Sequence, residues 1–136
     1  FVLPIGKADI KKEGKDVTII ATGRMVDEAL SAAQDLLKEG VDAEVIDPRT
    51  LFPFDKDTVF DSVKKTNRVV VVTEEAKRGG FGGEISAVIS EEMFDYLDAP
   101  VVRIGNYNVP IPFSPKLENY VLPNSNKISA AVKKTL

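Results

Sequence analysis

The chain has 136 residues, no Cys, His or Trp, and 18 Lys and Arg against 21 Asp and Glu. This length suits a single domain, and the missing Cys and His exclude disulfide scaffolds, zinc ribbons, thiolate nucleophiles and Ser-His-Asp triads. The net charge of −3, the scattered basic residues and apolar runs far shorter than the ~20 residues of a spanning helix argue against nucleic-acid and membrane binding.

Four apolar, β-branched runs predict the central strands of a sheet. Continuous apolar runs are typical of parallel strands that are covered on both faces. The charged stretch 7–13 precedes them and predicts an edge strand, because lysines discourage further pairing there. The four runs are residues 17–21, 43–46, 69–73 and 101–104.

Apolar residues at helical spacing between these runs predict three helices. The first stripe covers residues 26–37 and stops at Gly40, a residue suited to a left-handed helix end. The second stripe, 59–63, follows Asp55, a favoured N-cap residue, and the third, 85–97, follows a glycine cluster. Strand alternating with helix predicts an α/β sandwich with helices on both faces.

The C-terminal part departs from this alternation. Pro110 and Pro112 exclude a regular helix or a central strand and predict a loop. Ser114, followed by a proline, predicts the start of a short helix. Asn124 or Ser125 can cap a last helix with one apolar face.

A glycine-rich segment, Gly79-Gly80-Phe81-Gly82-Gly83, lies between the third strand and the third helix. Free amides at a helix N-terminus attract anions, so this arrangement is common at phosphate sites. The spacing completes neither G-x-G-x-x-G nor a P-loop. We therefore favour close backbone approach to a neighbouring domain or subunit, with anion binding as the alternative.

Two acidic residues, Glu74 and Glu75, end the third strand at the edge where open α/β sheets place ligands. Adjacent residues of an extended segment point to opposite faces, so the two carboxylates do not converge on one reacting atom. We expect solvated or interface carboxylates here.

Arg49 follows the second strand at the same edge and offers two interpretations. Its guanidinium can clamp a carboxylate or phosphate. Alternatively, it orders the loop by a salt bridge to Asp47, Asp55 or Asp57.

The proline-containing loop places several apolar residues together. Such a group marks either a contact surface or a loop that packs back on the domain's own helices, and the sequence alone leaves both open. Tyr107, Phe113 and Tyr120 would anchor a contact.

The order of these motifs resembles the C-terminal domain of the transketolase superfamily. The resemblance is carried by residues 15–23 (KDVTIIATG), 44–51 (EVIDPRTL) and 70–76 (VVVTEEA), with the glycine segment behind them. Residues 94–101 (FDYLDAPV) and 110–114 (PIPFS) resemble β subunits of the thiamin-diphosphate-dependent decarboxylating component of 2-oxo acid dehydrogenase complexes, of the pyruvate and acetoin types. Residues 1–136 would then be one domain, a fragment of a longer β subunit.

The resemblance implies a three-layer α/β/α fold with a five-stranded mixed sheet, in which one edge strand is antiparallel to the other four. It also implies an oxidoreductase that decarboxylates a 2-oxo acid or acetoin and passes the acyl group to a lipoyl acyltransferase. Thiamin diphosphate and magnesium belong to the other domains, so this domain would hold no catalytic, cofactor or metal residue and be inactive alone.

The partners implied are the rest of the β subunit, the α subunit, a second β subunit and the dihydrolipoyl acyltransferase. The location implied is the bacterial cytoplasm, with the mitochondrial matrix as the alternative. Some members carry a His directly before the glutamate that ends the third strand; Thr73 stands there in this chain, which removes any role for that His.

The resemblance also assigns contact residues. The glycine segment and its flanking acids would face neighbouring subunits or the active-site entrance, and the proline loop would make further contacts. Two alternatives stay open: the same domain of another thiamin enzyme, such as a transketolase or deoxyxylulose-phosphate synthase, and a standalone anion-binding α/β module. The interface or entrance candidates are Glu74, Gly79, Gly80, Phe81, Gly82 and Glu84, and the contact-loop candidates are Tyr107, Pro110, Pro112 and Phe113.

Overall fold

The computed structural model describes residues 2–136 as one five-stranded sheet with helices on both faces. A single 3-10 turn, Phe94–Tyr96, follows the third helix. The strands are β1 (Asp9–Lys12), β2 (Val17–Ala21), β3 (Ala43–Asp47), β4 (Val69–Ala76) and β5 (Val102–Asn106), and the helices are α1 (Met25–Lys38), α2 (Lys56–Thr66), α3 (Phe81–Glu92), α4 (Pro115–Val121) and α5 (Ser125–Lys133).

The sheet order is β1-β3-β2-β4-β5. β1 runs antiparallel to β3, and the other three pairings are parallel. This confirms the predicted five-stranded mixed sheet with one antiparallel edge strand, and it places that strand inside the charged stretch 7–13.

The apolar runs form central strands because both of their faces are covered. Successive residues of a strand point to opposite faces. Ile19 therefore packs with α1 and α5, whereas Ile20 packs with α2 and α3, and both are fully buried. Every residue of β2 is buried, so polar alternation has no place in it.

The helix ends follow the predicted signals closely. Gly40 follows α1 with φ +86°, and Asp55 caps α2 by accepting a hydrogen bond from the Thr58 amide at 3.2 Å. Asn124 caps α5 through the Lys127 amide at 3.0 Å, which decides between the two cap candidates. Ser114 occupies the cap position of α4 without a side-chain cap hydrogen bond.

Three element boundaries differ from the prediction. β4 continues to Ala76 because it pairs again with β5 after an irregular stretch, and β5 itself covers Val102–Asn106. α3 ends at Glu92 because Met93 leaves helical geometry with φ −124°, so the end of the predicted stripe lies in and after the 3-10 turn.

The C-terminal helix seals one face of the sheet. α5 buries Ile128, Ala131 and Val132 in the core that it shares with α1. The Arg68 Nε donates to the backbone oxygen of Thr135 at 2.8 Å, and the Thr135 side chain is buried. Within residues 2–136, no helix combines the length and apolar character needed to cross a bilayer.

Candidate functional site

The glycine segment folds against the end of its own preceding strand. Gly79 has φ +76°, a conformation that favours glycine. A Cβ added at Gly80 would lie 2.5 Å from the Ala76 carbonyl oxygen and 2.9 Å from the Glu75 Cγ, so a side chain does not fit. Gly80 therefore lies close to the backbone of its own chain, which is not the approach to a neighbouring domain or subunit that the sequence predicted. A contact of the segment with another subunit stays a prediction.

The N-terminus of α3 is already satisfied by a carboxylate of the same chain. Glu75 accepts a hydrogen bond from the Phe81 amide, in the first turn of the helix. A negative group at this position suits the positive end of the helix dipole. This arrangement argues against the standalone anion-binding module, since a carboxylate of the same chain already lies at the positive end of the helix. Glu74 and Glu84 are exposed beside it.

The two remaining glycines differ in their surroundings. Gly82 is buried, and a Cβ there would lie 3.4 Å from the Thr73 side chain. Thr73 is itself buried under the start of α3. A Cβ at Gly83 would approach only the Arg103 guanidinium, at 3.6 Å. Gly82 therefore allows α3 to lie close to β4, while Gly83 leaves open space.

A groove of about 1110 Å³ lies between the first turns of α3 and the segment 51–54. Phe52 stands almost fully exposed at this groove, and the Phe52-Pro53 peptide bond is cis. Sequence reasoning found the α3 side of the groove but missed the segment 51–54. The signal was present, because Leu51, Phe52 and Phe54 flank a proline in a loop, a pattern typical of an exposed apolar patch.

Arg49 orders its loop with a partner that the sequence did not suggest. Its guanidinium lies 2.9 Å from the Asp9 carboxylate on β1, and only its backbone amide donates to the Asp47 side chain, also at 2.9 Å. The expected ion pair with Asp47, Asp55 or Asp57 is therefore wrong. The Lys11 ammonium, together with Arg49, lowers the pKa of Asp9.

Asp55 accepts hydrogen bonds from the backbone and does not pair with Arg49. Its carboxylate accepts hydrogen bonds from the Ala8 amide at 2.9 Å and from the Thr58 hydroxyl at 2.7 Å. Burial raises the pKa of Asp55, but these hydrogen bonds outweigh burial and hold the pKa below its usual value. The residue thereby ties the N-terminal segment to α2.

The proline loop is exposed rather than folded back on the domain. Tyr107, Pro110 and Phe113 are all exposed, and the Phe113 side chain reaches 102% of full accessibility. Pro112 is half-buried. The Tyr107 and Tyr120 rings lie 5.3 Å apart, so α4 steadies the start of the loop. Exposure favours the contact-surface interpretation.

The structure brings the proline loop and the glycine segment to the same edge of the sheet. The Arg78 amide donates to the Asn108 side chain at 3.1 Å, and the Lys77 amide donates to the Asn106 carbonyl oxygen at 3.1 Å. Two regions that are about 30 residues apart in the sequence therefore meet through the turn after β4. We call these two regions, with the segment 51–54, the carboxyl-edge surface.

The glycine segment does not fit the diphosphate of thiamin diphosphate. A diphosphate needs free donors and a bound magnesium, but the Phe81 amide is taken by Glu75. In the part of the chain that the structure describes, no three acidic side chains come together as metal ligands would. No chemical step can therefore be derived through that cofactor here.

The fold and this surface define a class of protein: a three-layer α/β/α domain that presents apolar and aromatic side chains at the carboxyl edge of its sheet. The chain belongs to the family "Transketolase, C-terminal domain", which matches residues 6–128.

Its relatives are β subunits of dehydrogenases. It is 51% identical over 134 residues to "Pyruvate dehydrogenase E1 component subunit beta, mitochondrial" of Pisum sativum, covering 98% of this chain and 37% of that protein. It is 47% identical over 128 residues to "Acetoin:2,6-dichlorophenolindophenol oxidoreductase subunit beta" of Bacillus subtilis (strain 168), covering 94% of this chain and 37% of that protein. The chain thus spans little more than a third of the length of these relatives.

A solved structure supports the same fold. "Split gene transketolase, inactive beta4 tetramer" has a TM-score of 0.88 and 36% sequence identity, covering 100% of this chain and 44% of that one. A transketolase mutant from Pichia stipitis, at 17% identity and a TM-score of 0.68, shares the fold alone.

Proposed function

We propose that this chain is the C-terminal assembly domain of the β subunit of a thiamin-diphosphate-dependent dehydrogenase that acts on a 2-oxo acid or on acetoin. The observation that carries the proposal is the identity to such β subunits over nearly the whole chain. The exposed carboxyl-edge surface supports the same conclusion, because it offers contacts rather than acid-base groups.

In this proposal the chemistry belongs to the rest of the enzyme. The complete protein would cleave its substrate with thiamin diphosphate and magnesium held outside this domain, releasing CO2 from a 2-oxo acid or an aldehyde from acetoin. It would then pass the acyl group to a lipoyl acyltransferase. The hydrogen bond that Glu75 accepts from the Phe81 amide supports a noncatalytic role, since a carboxylate of the same chain lies at the start of α3.

The partners proposed are the remainder of the β subunit, the α subunit, a second β subunit and the dihydrolipoyl acyltransferase. Phe52, Ile111 and Phe113 are exposed apolar side chains on the carboxyl-edge surface. Burying such side chains against a partner is favourable, and large aromatics commonly dominate the binding energy of an interface.

The compartment proposed is the bacterial cytoplasm, or the mitochondrial matrix if the source has mitochondria. The relatives include proteins of Bacillus subtilis and mitochondrial proteins of plants, so similarity does not separate the two.

Calorimetry tests the noncatalytic part of the proposal. Thiamin diphosphate with magnesium, titrated into the 136-residue chain, should bind no more tightly than magnesium pyrophosphate, because the Phe81 amide of the glycine segment is taken and no three acidic side chains of the described residues come together for a metal. Micromolar binding of thiamin diphosphate that pyrophosphate does not match would overturn this part.

Sedimentation tests the assembly part. The chain should self-associate or bind the docking domain of a dihydrolipoyl acyltransferase, and Phe113→Ser should weaken that association by about tenfold or more. Leu37→Ser is the matched control. Leu37 is an exposed apolar residue on α1, and it is distant in sequence from the segments that form the carboxyl-edge surface. A strict monomer that ignores the docking domain would count against assembly.

A transketolase is the second candidate function, because the split-gene transketolase matches the whole chain. The docking-domain measurement separates the two candidates, since only the dehydrogenase requires an acyltransferase contact. The higher identity to dehydrogenase β subunits favours the first candidate.

A further inference from the structure

A second pocket lies beside the edge strand β5 and shares only Arg103 with the groove at α3. Its volume is about 330 Å³, which falls at the lower end of the ~300–1,000 Å³ typical of small-molecule sites. β5, the turn after β4 and the outer face of α5 form its walls.

The lining of this pocket is positively charged. It contains four cationic side chains, Lys77, Arg103, Lys127 and Lys134, and neither Asp nor Glu. None of the four forms a salt bridge with any described residue. Their charges reinforce one another in a concave site, which raises the local concentration of anions.

Lys127 is half-buried and is held by the backbone of the same chain. Its ammonium donates to the backbone oxygens of Tyr120 at 2.6 Å and Leu122 at 2.7 Å, and it lies 5.2 Å from the centre of the Tyr107 ring. An ammonium has three donors, so one N–H is left for a ligand. Burial lowers the pKa of Lys127, and an anion beside it would favour the charged form again.

A buried side chain with an unused polar atom lies in the same wall. Asn106 is 3% exposed, it lines the pocket, and its Oδ1 has no hydrogen-bond partner. A buried polar atom without a partner costs free energy. The amide oxygen and nitrogen exchange places by a half-turn of nearly unchanged shape, so Asn106 can offer either an acceptor or a donor to a ligand.

We propose that this pocket binds the phosphate or carboxylate group of a small metabolite. Lys127 and Asn106 make the inner contacts, and Arg103 and Lys134 supply charge at the rim. A small anion suits both features, because it neutralises a half-buried ammonium and accepts a hydrogen bond from the Asn106 NH2 group once a half-turn of the amide brings that group to the Oδ1 position. The proposal does not depend on the function proposed above.

Amide-resolved NMR on the isotope-labelled chain tests the proposal. Inorganic phosphate and succinate are titrated separately, with chloride as the ionic-strength control. We expect saturable shifts at Asn106, Tyr107 and Lys127 with phosphate or with succinate, and the tighter of the two identifies a phosphorylated or a carboxylate ligand. Shifts that follow chloride, or that spread over all surface lysines without saturating, would overturn the proposal.

Variants give a second, independent readout. Lys127→Met should weaken the saturable binding by about tenfold, because it removes a charged hydrogen-bond donor. Lys134→Glu repeats the test at an exposed rim position, where folding is at little risk. Lys133→Met is the matched control on the same helix, since Lys133 pairs with Glu39 outside the pocket. Equal binding by the control and both pocket variants would refute the site.

Discussion

The two edges of the sheet differ in whether their positively charged side chains are paired with carboxylates. At the β1 edge, Lys11 and Arg49 both pair with Asp9, and Lys12 pairs with Asp42. At the β5 edge, the four cations of the pocket have no carboxylate partner among the described residues. Tyr107 and Phe113, two exposed aromatic residues of the carboxyl-edge surface, follow β5 on that second side.

The difference shows that the two edges of one small sheet have different properties: ion pairs within the chain cover the β1 edge, whereas the β5 edge leaves charged and apolar side chains free for contacts. An edge strand has unpaired backbone groups that invite another strand, and charged side chains discourage this. The β1 edge is short, and Lys11, Lys12 and Arg49 beside it are paired with carboxylates of the same chain. The β5 edge leaves four cations without such a pair, next to exposed apolar side chains.

We call the β1 edge the closed edge. A buried carboxylate on β3, the strand next to it, stabilises this edge. Glu44 is fully buried on β3 and accepts hydrogen bonds from the Lys65 ammonium and, at 3.1 Å, from the Gly14 amide. Burial raises the pKa of Glu44, but hydrogen bonds from Lys65, Ser62 and Gly14 outweigh it, so the pKa lies below its usual value. The same contact with Glu44 raises the pKa of Lys65.

The largest expected effect comes from Gly14→Ala. A Cβ there would lie 2.3 Å from the Ala43 carbonyl carbon and 2.4 Å from the Glu44 nitrogen, both backbone atoms that cannot move aside. We expect a loss of about 3 kcal/mol or more in the free energy of unfolding, measured by urea denaturation. Lys15→Ala, an exposed neighbour, should change it by less than about 0.5 kcal/mol. A loss below about 1 kcal/mol for Gly14→Ala would show that the closed edge adapts.

Lys65→Met should follow in size. The change leaves the Glu44 carboxylate buried without its cation, and the half-exposed position of Lys65 moderates the loss to about 1 to 2 kcal/mol. Lys64→Met is the control, because Lys64 precedes it on α2 and forms no salt bridge among the described residues. Equal urea midpoints for the two variants would contradict the anchoring role of Glu44.

Acid should destabilise the domain by a smaller amount. Glu44 and Asp55 have folded-state pKa values below their usual 4.5 and 3.8, so the unfolded chain binds protons more readily. Their stabilisation is present above those values and is lost as the pH falls through the lower folded-state values. Thermal melts from about pH 6 to pH 3 should show the loss beginning near pH 5. Asp55→Asn should flatten the curve; an unchanged slope would exclude Asp55 as a contributor.

We call β5 and the carboxyl-edge surface beside it the open edge. The smallest effect is expected there, at the glycine segment. Gly83→Ala puts a methyl group within α3 at ordinary contact distance, 3.6 Å, from the Arg103 guanidinium, so it should stabilise the isolated chain by about 0.5 to 1 kcal/mol. If the glycine segment faces a partner, the same methyl group should weaken assembly in sedimentation. A variant that is more stable and assembles normally would remove Gly83 from the contact surface and sharpen the boundary of the open edge.

The fold was largely predictable because burial on both faces leaves a clear pattern. Residues 17–21 form an unbroken apolar run, and every one of them is buried in β2. The last part of β4 was missed because Glu74, Glu75 and Ala76 are exposed and pair irregularly with β5. A polar strand end carries no periodic signal, so only backbone pairing reveals it.

The contact residues were predictable in kind but not in partner. Arg49 was expected to pair with a nearby aspartate, but it reaches Asp9, which the antiparallel pairing of β1 with β3 brings close. The pocket beside β5 was not anticipated, because Asn106 and Lys127 are 21 positions apart and meet only through the packing of α5 on the sheet. Tertiary neighbours of this kind leave no spacing in the sequence.

The hydrogen bond from the Arg68 side chain to the Thr135 backbone oxygen has a practical consequence for anyone who attaches a reporter to this chain. The last turn carries a buried threonine whose backbone oxygen holds a side chain from the start of β4. A fluorescent protein or affinity tag joined after Leu136 leaves the contacts of Thr135 intact. A fusion that replaces the final two residues would remove the buried Thr135 side chain and its hydrogen bond to the Val132 backbone oxygen, so the junction itself would weaken the protein under study.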